Sequence, residues 1–139
     1  RFNSLLFEIL FQLYHNFSIR VVHGNLTQRD KDRARLDTIL NYIRQNYKQH
    51  ISIEEIANVA YLQSGYFCRF FKKCMGITFL EYQNELRLSY IYQDILSTDD
   101  SIKDILERHG FTNYKLFRRM FFEHFEMTPT EVRKNRNAT

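Results

Sequence analysis

A repeated cassette constrains this chain more than any other feature of its sequence. One copy starts at Ser52 (SIEEIANVAYLQSGYFCRFFKKCMGITFLEY) and the other at Ser101 (SIKDILERHGFTNYKLFRRMFFEHFEMTPTEV). Ser52 matches Ser101, Ile53 matches Ile102 and Ile56 matches Ile105. Past the middle turn the register slips by one residue, so Phe67 matches Phe117, Phe71 matches Phe121, Thr78 matches Thr128 and Glu81 matches Glu131. Each copy reads as short helix, turn, longer aromatic and basic helix, turn. That is the outline of a helix-turn-helix unit, whose second helix enters a DNA major groove. Two such units in one chain of 139 residues point to a reader of two neighbouring grooves.

Four glycines and one proline leave little material for a turn-rich β fold and favour helices. A hydrophobic share of 44% supplies a real core and argues against disorder. The net charge of +4 suits a polyanionic partner but only mildly. Cys68 and Cys74 lack the C-x-x-C spacing of a zinc site and read as reduced thiols. No apolar run approaches the ~18 residues that cross a bilayer. The first residue is Arg1 rather than Met, which reads as a fragment of a longer protein.

Residues 1 to about 18 follow helical spacing through Phe2, Leu5, Leu6, Ile9, Leu10, Leu13 and Phe17. Phe7, Phe11 and Tyr14 form a second apolar stripe, so this amphipathic helix needs partners on both sides. An upstream domain, its copy in a homodimer, or the downstream core could cover it. Leu6, Phe7, Leu10, Phe11, Leu13 and Tyr14 are the candidate dimerisation residues. Residues 20–34 read as a linker, opened by the Gly24-Asn25 turn signal and running into a helix near Arg35. That helix carries Leu36, Ile39, Leu40, Ile43 and Tyr47 on one face. The expected organisation is all-α: an N-terminal helix and linker over 1–34, then a DNA-binding domain over 35–136. Within it the first helix-turn-helix spans about 52–76, a linker helix about 79–97, and the second helix-turn-helix about 101–125.

Four caps mark helix starts: Ser52 with Glu55, Thr78 with Glu81, Ser101 with Asp104, and Thr128 with Glu131. In each, the hydroxyl can accept from a first-turn N–H and the acid can reach back. Pro129 follows Thr128 at the first helical position, where its missing N–H costs nothing. With the two long cassette helices and the helix near Arg35, seven helices follow the linker. The stretch from Leu80 to Leu96, with Tyr82, Leu86, Ile91 and Ile95 at helical spacing, would be roughly 25 Å long. Successive major-groove faces lie ~34 Å apart, so a unit at each end of such a rod can span them.

The first candidate recognition helix, about Ser64 to Cys74, turns Phe67, Phe70, Phe71 and Cys74 inward and leaves Gly65, Cys68, Arg69, Lys72 and Lys73 outward. Arginine presents the planar fork that fits a guanine edge, and lysine suits phosphates. The second, about Asn113 to His124, turns Leu116, Phe117, Met120 and Phe121 inward and leaves Asn113, Tyr114, Lys115, Arg118 and Arg119 outward. Asparagine can bond adenine in a bidentate way. Phe122, Glu123 and Glu126 offer nothing to a phosphate, so the first helix is expected to carry more base reading and the second more positioning.

From about Leu36 to Arg133 the chain resembles the DNA-binding domain of AraC/XylS-type bacterial transcription regulators. The resemblance rests on SIEEIA, FKKCMGITFLEY, Arg87-Leu88, Ser101-Ile102, the HGF of His109–Phe111 and the MTPTEVR of Met127–Arg133. It implies two helix-turn-helix subdomains on a long helix, both reading adjacent major grooves. Gly65, Cys68, Arg69 and Lys72 would face one groove, and Tyr114, Lys115 and Arg118 the other, with Asn113 and Arg119 close by. The chain departs from the family pattern at Glu123, Glu126 and Ile91, where lysine, glycine and alanine are common. The resemblance further implies an activator in the cytoplasm on the nucleoid, RNA polymerase as a second partner, and an upstream sensor whose tail is residues 1–19.

Other classes fit less well. His15, His23, His50, His109 and His124 form no H-x-x-x-H or H-E-x-x-H pattern, and no G-x-S-x-G or P-loop occurs, so no catalytic residue, cofactor, metal or membrane partner is expected. His109, beside Gly110, reads as a helix-end residue. The alternative to a DNA reader is a helical interaction module dimerising through residues 1–19 without specific DNA binding.

Overall fold

The computed structural model describes residues 26–138. They form seven helices and, among the described residues, no strand: α1 Leu26–Asn46, α2 Ile53–Val59, α3 Ser64–Met75, α4 Phe79–Ser97, α5 Ile102–Arg108, α6 Tyr114–Phe125 and α7 Pro129–Ala138. The expected all-α architecture is present, with α2–α3 and α5–α6 as the helix-turn-helix pairs and α4 between them. The expected N-terminal amphipathic helix and its dimerisation residues lie outside the described residues.

One boundary differs from expectation. Residues 26–34 are not a linker but the first turns of α1, which starts at Leu26 rather than near Arg35. After the Gly24-Asn25 pair nothing breaks a helix, and the straight-chain charged residues are good helix formers. Gln28 donates to Asp32 at 2.8 Å and Arg35 pairs with Asp32 at 3.7 Å, the one-turn spacing that supports an exposed helical face.

The four caps form, but not alike. Thr78–Glu81 and Thr128–Glu131 close both halves of the capping box. At Ser52 and Ser101 only the hydroxyl accepts its backbone N–H, from Glu55 at 3.0 Å and Asp104 at 3.1 Å. Glu55 is drawn away by the Tyr42 hydroxyl, which donates to it. Asp104 has a shorter side chain than glutamate. A fifth cap adds to the expected four: Asn113 Oδ1 accepts from the Leu116 N–H at 3.0 Å.

Apolar periodicity builds two cores. The first gathers Leu36, Ile39, Leu40 and Ile43 of α1, Ile56 of α2, and Phe67 and Phe71 of α3, closed by Phe79. The second gathers Ile105 of α5, Phe117, Phe121 and Phe125 of α6, and Val132 of α7. Helix α4 serves both: Phe79, Tyr82, Leu86 and Tyr90 pack on the first, and Leu88, Ile91, Tyr92 and Ile95 on the second. Truncating any of these buried phenylalanines would cost about 3–5 kcal/mol.

A junction joins the two halves directly. The turn that follows α1 presents carbonyls that no helical N–H reaches. Gln83 donates to the carbonyls of Tyr47 at 3.3 Å and Gln49 at 3.0 Å, and Arg87 donates to the same pair at 2.7 and 2.9 Å. The matching device closes α4, where Arg133 and Arg136 donate to the carbonyls of Ile95 and Thr98. The Tyr47 side chain is buried and reaches across to His109, itself only 5% exposed. Its hydroxyl lies 2.7 Å from His109 Nδ1, and Nε2 lies 2.7 Å from Asp94 of α4. The carboxylate only accepts, so Nε2 carries the hydrogen that it shares with Asp94. Burial, then the nearby Tyr90 and Asp94, push the Tyr47 phenol up to about 12, so it stays a donor. His109 does end α5, as its place beside Gly110 implied, and it also ties both halves together.

Gly110 completes this contact. Its φ is +75°, and a Cβ there would stand 1.9 Å from the Lys48 carbonyl oxygen. The matching turn of the first unit holds Tyr61 at φ 57°, where nothing presses and the side chain is 93% exposed. At the ends of the long cassette helices the asymmetry reverses: Gly76 sits at φ 80° and Glu126 at φ 55°. Gly110→Ala should therefore destabilise by about 2–4 kcal/mol through strain and collision. Glu126→Gly should stabilise by about 0.5–1 kcal/mol by removing a left-handed Cβ. Urea midpoints of the two variants check both signs.

His124 ties α6 to α4. Its Nδ1 lies 2.9 Å from the Met120 carbonyl and its Nε2 3.1 Å from Glu85, two acceptors that favour the imidazolium. The Glu85 hydrogen bond, only partly offset by burial, raises its pKa above the ordinary 6.5. Its contribution to stability is thus fully present below the unfolded value and lost as pH rises through the higher folded value. The melting difference between the protein and His124→Gln should be large at about pH 5.5 and shrink by about pH 8.5.

Candidate nucleic-acid interface

Helix α3 is amphipathic because its phenylalanines recur at helical spacing. Phe67, Phe70, Phe71 and Cys74 are buried, and Gly65, Cys68, Arg69, Lys72 and Lys73 are all exposed on the other side. Burial is the first cause that pushes the Cys74 thiol up to about 11, so it stays protonated in the core. A Cβ on Gly65 would meet only Arg69 Nη1, at 3.6 Å. No contact within the described fold demands glycine there, so the bare backbone is free for close approach from outside.

In α6, Phe117 and Phe121 are buried, Leu116 and Met120 partly so, and Phe125 adds a buried residue beyond the expected row. Asn113, Tyr114, Lys115, Arg118 and Arg119 are exposed. Tyr114, Lys115, Arg118 and Arg119 come together along one open cavity of ≈ 710 Å³ between α6 and the starts of α5 and α7. Ile102, Phe122 and Thr128–Thr130 complete its lining. Asn113 does not join them, because its side-chain oxygen is held by the cap. A bidentate bond to adenine would have to displace it.

Phe122 lacks the charge that marks its neighbours as contacts in the sequence. It is exposed on the same face as the cations, and its match to Lys72 in the repeat register is the signal that marks it.

The arginines from Arg69 onward divide into two groups. Arg108 pairs with Asp94 and Asp100 at 2.8 and 2.6 Å, and Arg87, Arg133 and Arg136 cap helix ends, so these are spent on the fold. Among the described residues no ion pair neutralises Arg69, Lys72, Lys73, Lys115, Arg118 or Arg119. The Arg69 guanidinium lies 6.0 Å from the Tyr66 ring centre and that of Arg118 5.8 Å from the Tyr114 ring centre. Such cation–π contacts hold a fork outward without spending its hydrogens. Two outward faces of unpaired cations on two aromatic helices suit a polyanion whose grooves admit a helix.

Among the described residues no group of three or more histidine, cysteine or acidic side chains is placed to hold a metal. No helix of the described residues is long and apolar enough to cross a membrane.

Comparison with known proteins bears on the same surface. The family model described as "Helix-turn-helix domain" matches residues 56–135. The Lactose operon transcription activator of Staphylococcus xylosus is 26% identical over 129 residues, covering 93% of this chain and 46% of that protein. The chain spans less than half the length of the curated relatives it matches. A crystal structure of an AraC-type transcriptional regulator from Chromobacterium violaceum superposes with a TM-score of 0.68 at 28% identity, covering 75% of this chain and 93% of that one. The DNA-binding domain of AdpA, solved with a target DNA, shares the fold with a TM-score of 0.68 at 20% identity, covering 74% and 93%. Repeat, fold and family match agree, and the chain belongs to the AraC/XylS-type helix-turn-helix family of DNA-binding transcription regulators.

Proposed function

We propose that the protein reads a site of about two helical turns of double-stranded DNA by laying α3 and α6 into adjacent major grooves. The observation that carries this is the pair of cationic faces, unpaired by the fold, mounted on two units joined through one shared helix and one buried junction. Arg69 and Arg118 supply forks for base edges, with Arg119 beside the second groove and Lys72, Lys73 and Lys115 on phosphates. Gly65 and Cys68 allow the first helix to approach closely, and Tyr114 and Asn113 frame the start of the second. The activator name of the Staphylococcus xylosus relative supports activation, with RNA polymerase as a protein partner. In this reading the protein works in the cytoplasm on the nucleoid, and residues 1–19 join two copies through Leu6, Phe7, Leu10, Phe11, Leu13 and Tyr14. Residues 1–34 then belong to a sensor or dimerisation region and residues 35–136 bind DNA, α1 running unbroken across that boundary.

Selection of bound oligonucleotides from a random pool tests the reading; recovery of no sequence preference would end it. On the selected site, Arg69→Ala should cost ~1–3 kcal/mol and relax preference at one base pair. Lys72→Ala should weaken all sequences alike and lower the salt slope by about one. Identical profiles for the two variants would contradict the assignment. The exposed Cys68 should react with a thiol reagent in the free protein and be protected by the selected DNA, with buried Cys74 unreactive in both states.

A further inference from the structure

We infer that Phe122 is a specificity-determining residue, its ring set to contact thymine methyl groups in the groove that receives α6. The inference rests on the proposed seating of α6 and goes beyond it by naming a base and a residue outside the cationic set. In the repeat register Phe122 stands where the first unit has Lys72, so a charge has been exchanged for an aromatic ring at an outward position. The ring is 55% exposed, and Tyr114, two turns earlier on the same helix, is exposed to the same extent. A lone exposed phenylalanine is ordinary on a protein surface. This one shares a cavity with Tyr114, Lys115, Arg118 and Arg119.

That company decides the partner. The cations around the ring favour a polyanion over an apolar protein surface. The apolar group that the major groove presents to such a ring is the C5 methyl of thymine. Tyr114 and Phe122 are separated by about 12 Å along the helix axis. That corresponds to about three or four base pairs of rise. The two rings can therefore sit at either end of one half-site with Arg118 between them. Packing an aromatic edge on a methyl removes apolar surface from water at both partners. A lysine at the same place would give affinity without preference, as expected of Lys72.

Replacing thymine by uracil in synthetic DNA removes the methyl and leaves base pairing and phosphates intact. The probe is the DNA selected by the unaltered protein, with single thymines of the half-site facing α6 replaced in turn by deoxyuridine. We expect one replacement to weaken binding by roughly threefold to tenfold. In Phe122→Ala that penalty should vanish, and the penalties elsewhere should persist. Phe122→Lys should bind more tightly at low salt and also lack the uracil penalty. Unchanged affinity and an unchanged penalty in Phe122→Ala would overturn the assignment and leave the ring facing a protein instead. An α6 half-site with no uracil-sensitive thymine would overturn it too, with two-groove binding intact. A pool that yields no preferred sequence would overturn the seating of α6 and this assignment with it.

Discussion

The structure depends on how one short loop is gripped. Residues 47–49, just past the end of α1, meet the linker helix and the end of α5 at once. The Tyr47 and Gln49 carbonyls are held by Gln83 and Arg87 of the linker helix, the Tyr47 hydroxyl by His109, and the Lys48 carbonyl is closely approached by Gly110. His109 is in turn oriented by Asp94. Hydrogen bonds to His109 and Arg108, working against burial, hold the Asp94 carboxyl below its ordinary range, so it stays a charged acceptor. Tyr47, Tyr90 and His109 stack through the same contact, with ring centres 4.8 to 5.9 Å apart. A helix shared between two cores could still flex along its length. A buried, hydrogen-bonded contact beside it removes that freedom, and with it the entropy that binding two grooves would otherwise cost.

The repeat shows one device used twice and adapted twice. In each half a side chain from the helix after the unit closes the carbonyl end of the helix before it: Gln83 in the first, Arg133 in the second. The left-handed turn positions show the adaptation. Glycine is retained at Gly110, where a neighbouring backbone leaves no room, and is absent at Tyr61, where solvent does. Glu126 retains the left-handed conformation without glycine and places an acid beside the cationic helix. The two units therefore share a scaffold while presenting different chemistry.

Much of this was legible in the sequence because it is local. The inward rows of α1, α3 and α6 follow from a period of 3.6 residues, and the starts of α2, α4, α5 and α7 from a hydroxyl or proline with an acid nearby. The exposed positions of all ten candidate DNA contacts follow from the same period. What was not legible is long-range or competitive. Tyr47, Asp94 and His109 are far apart in the chain, and no periodicity links them. Asn113 has two competing uses, a base edge or the cap of α6, and the sequence alone does not say that its oxygen accepts from the Leu116 N–H. The start of α1 is hard to place from sequence because charged residues with no apolar face resemble a linker, and here i,i+3 and i,i+4 pairs sustain the helix. The split between structural and free arginines required knowing where the acids and helix ends fall in space.

The central claim is that the two units are held at a set separation. The most direct measurement is equilibrium binding to DNA carrying both selected half-sites, with the spacing between them altered by about one to five base pairs. A fixed pair predicts a single preferred spacing, with affinity falling steeply on any insertion and most at half a helical turn. Equal affinity at every spacing would mean that the units move independently, and would contradict the account.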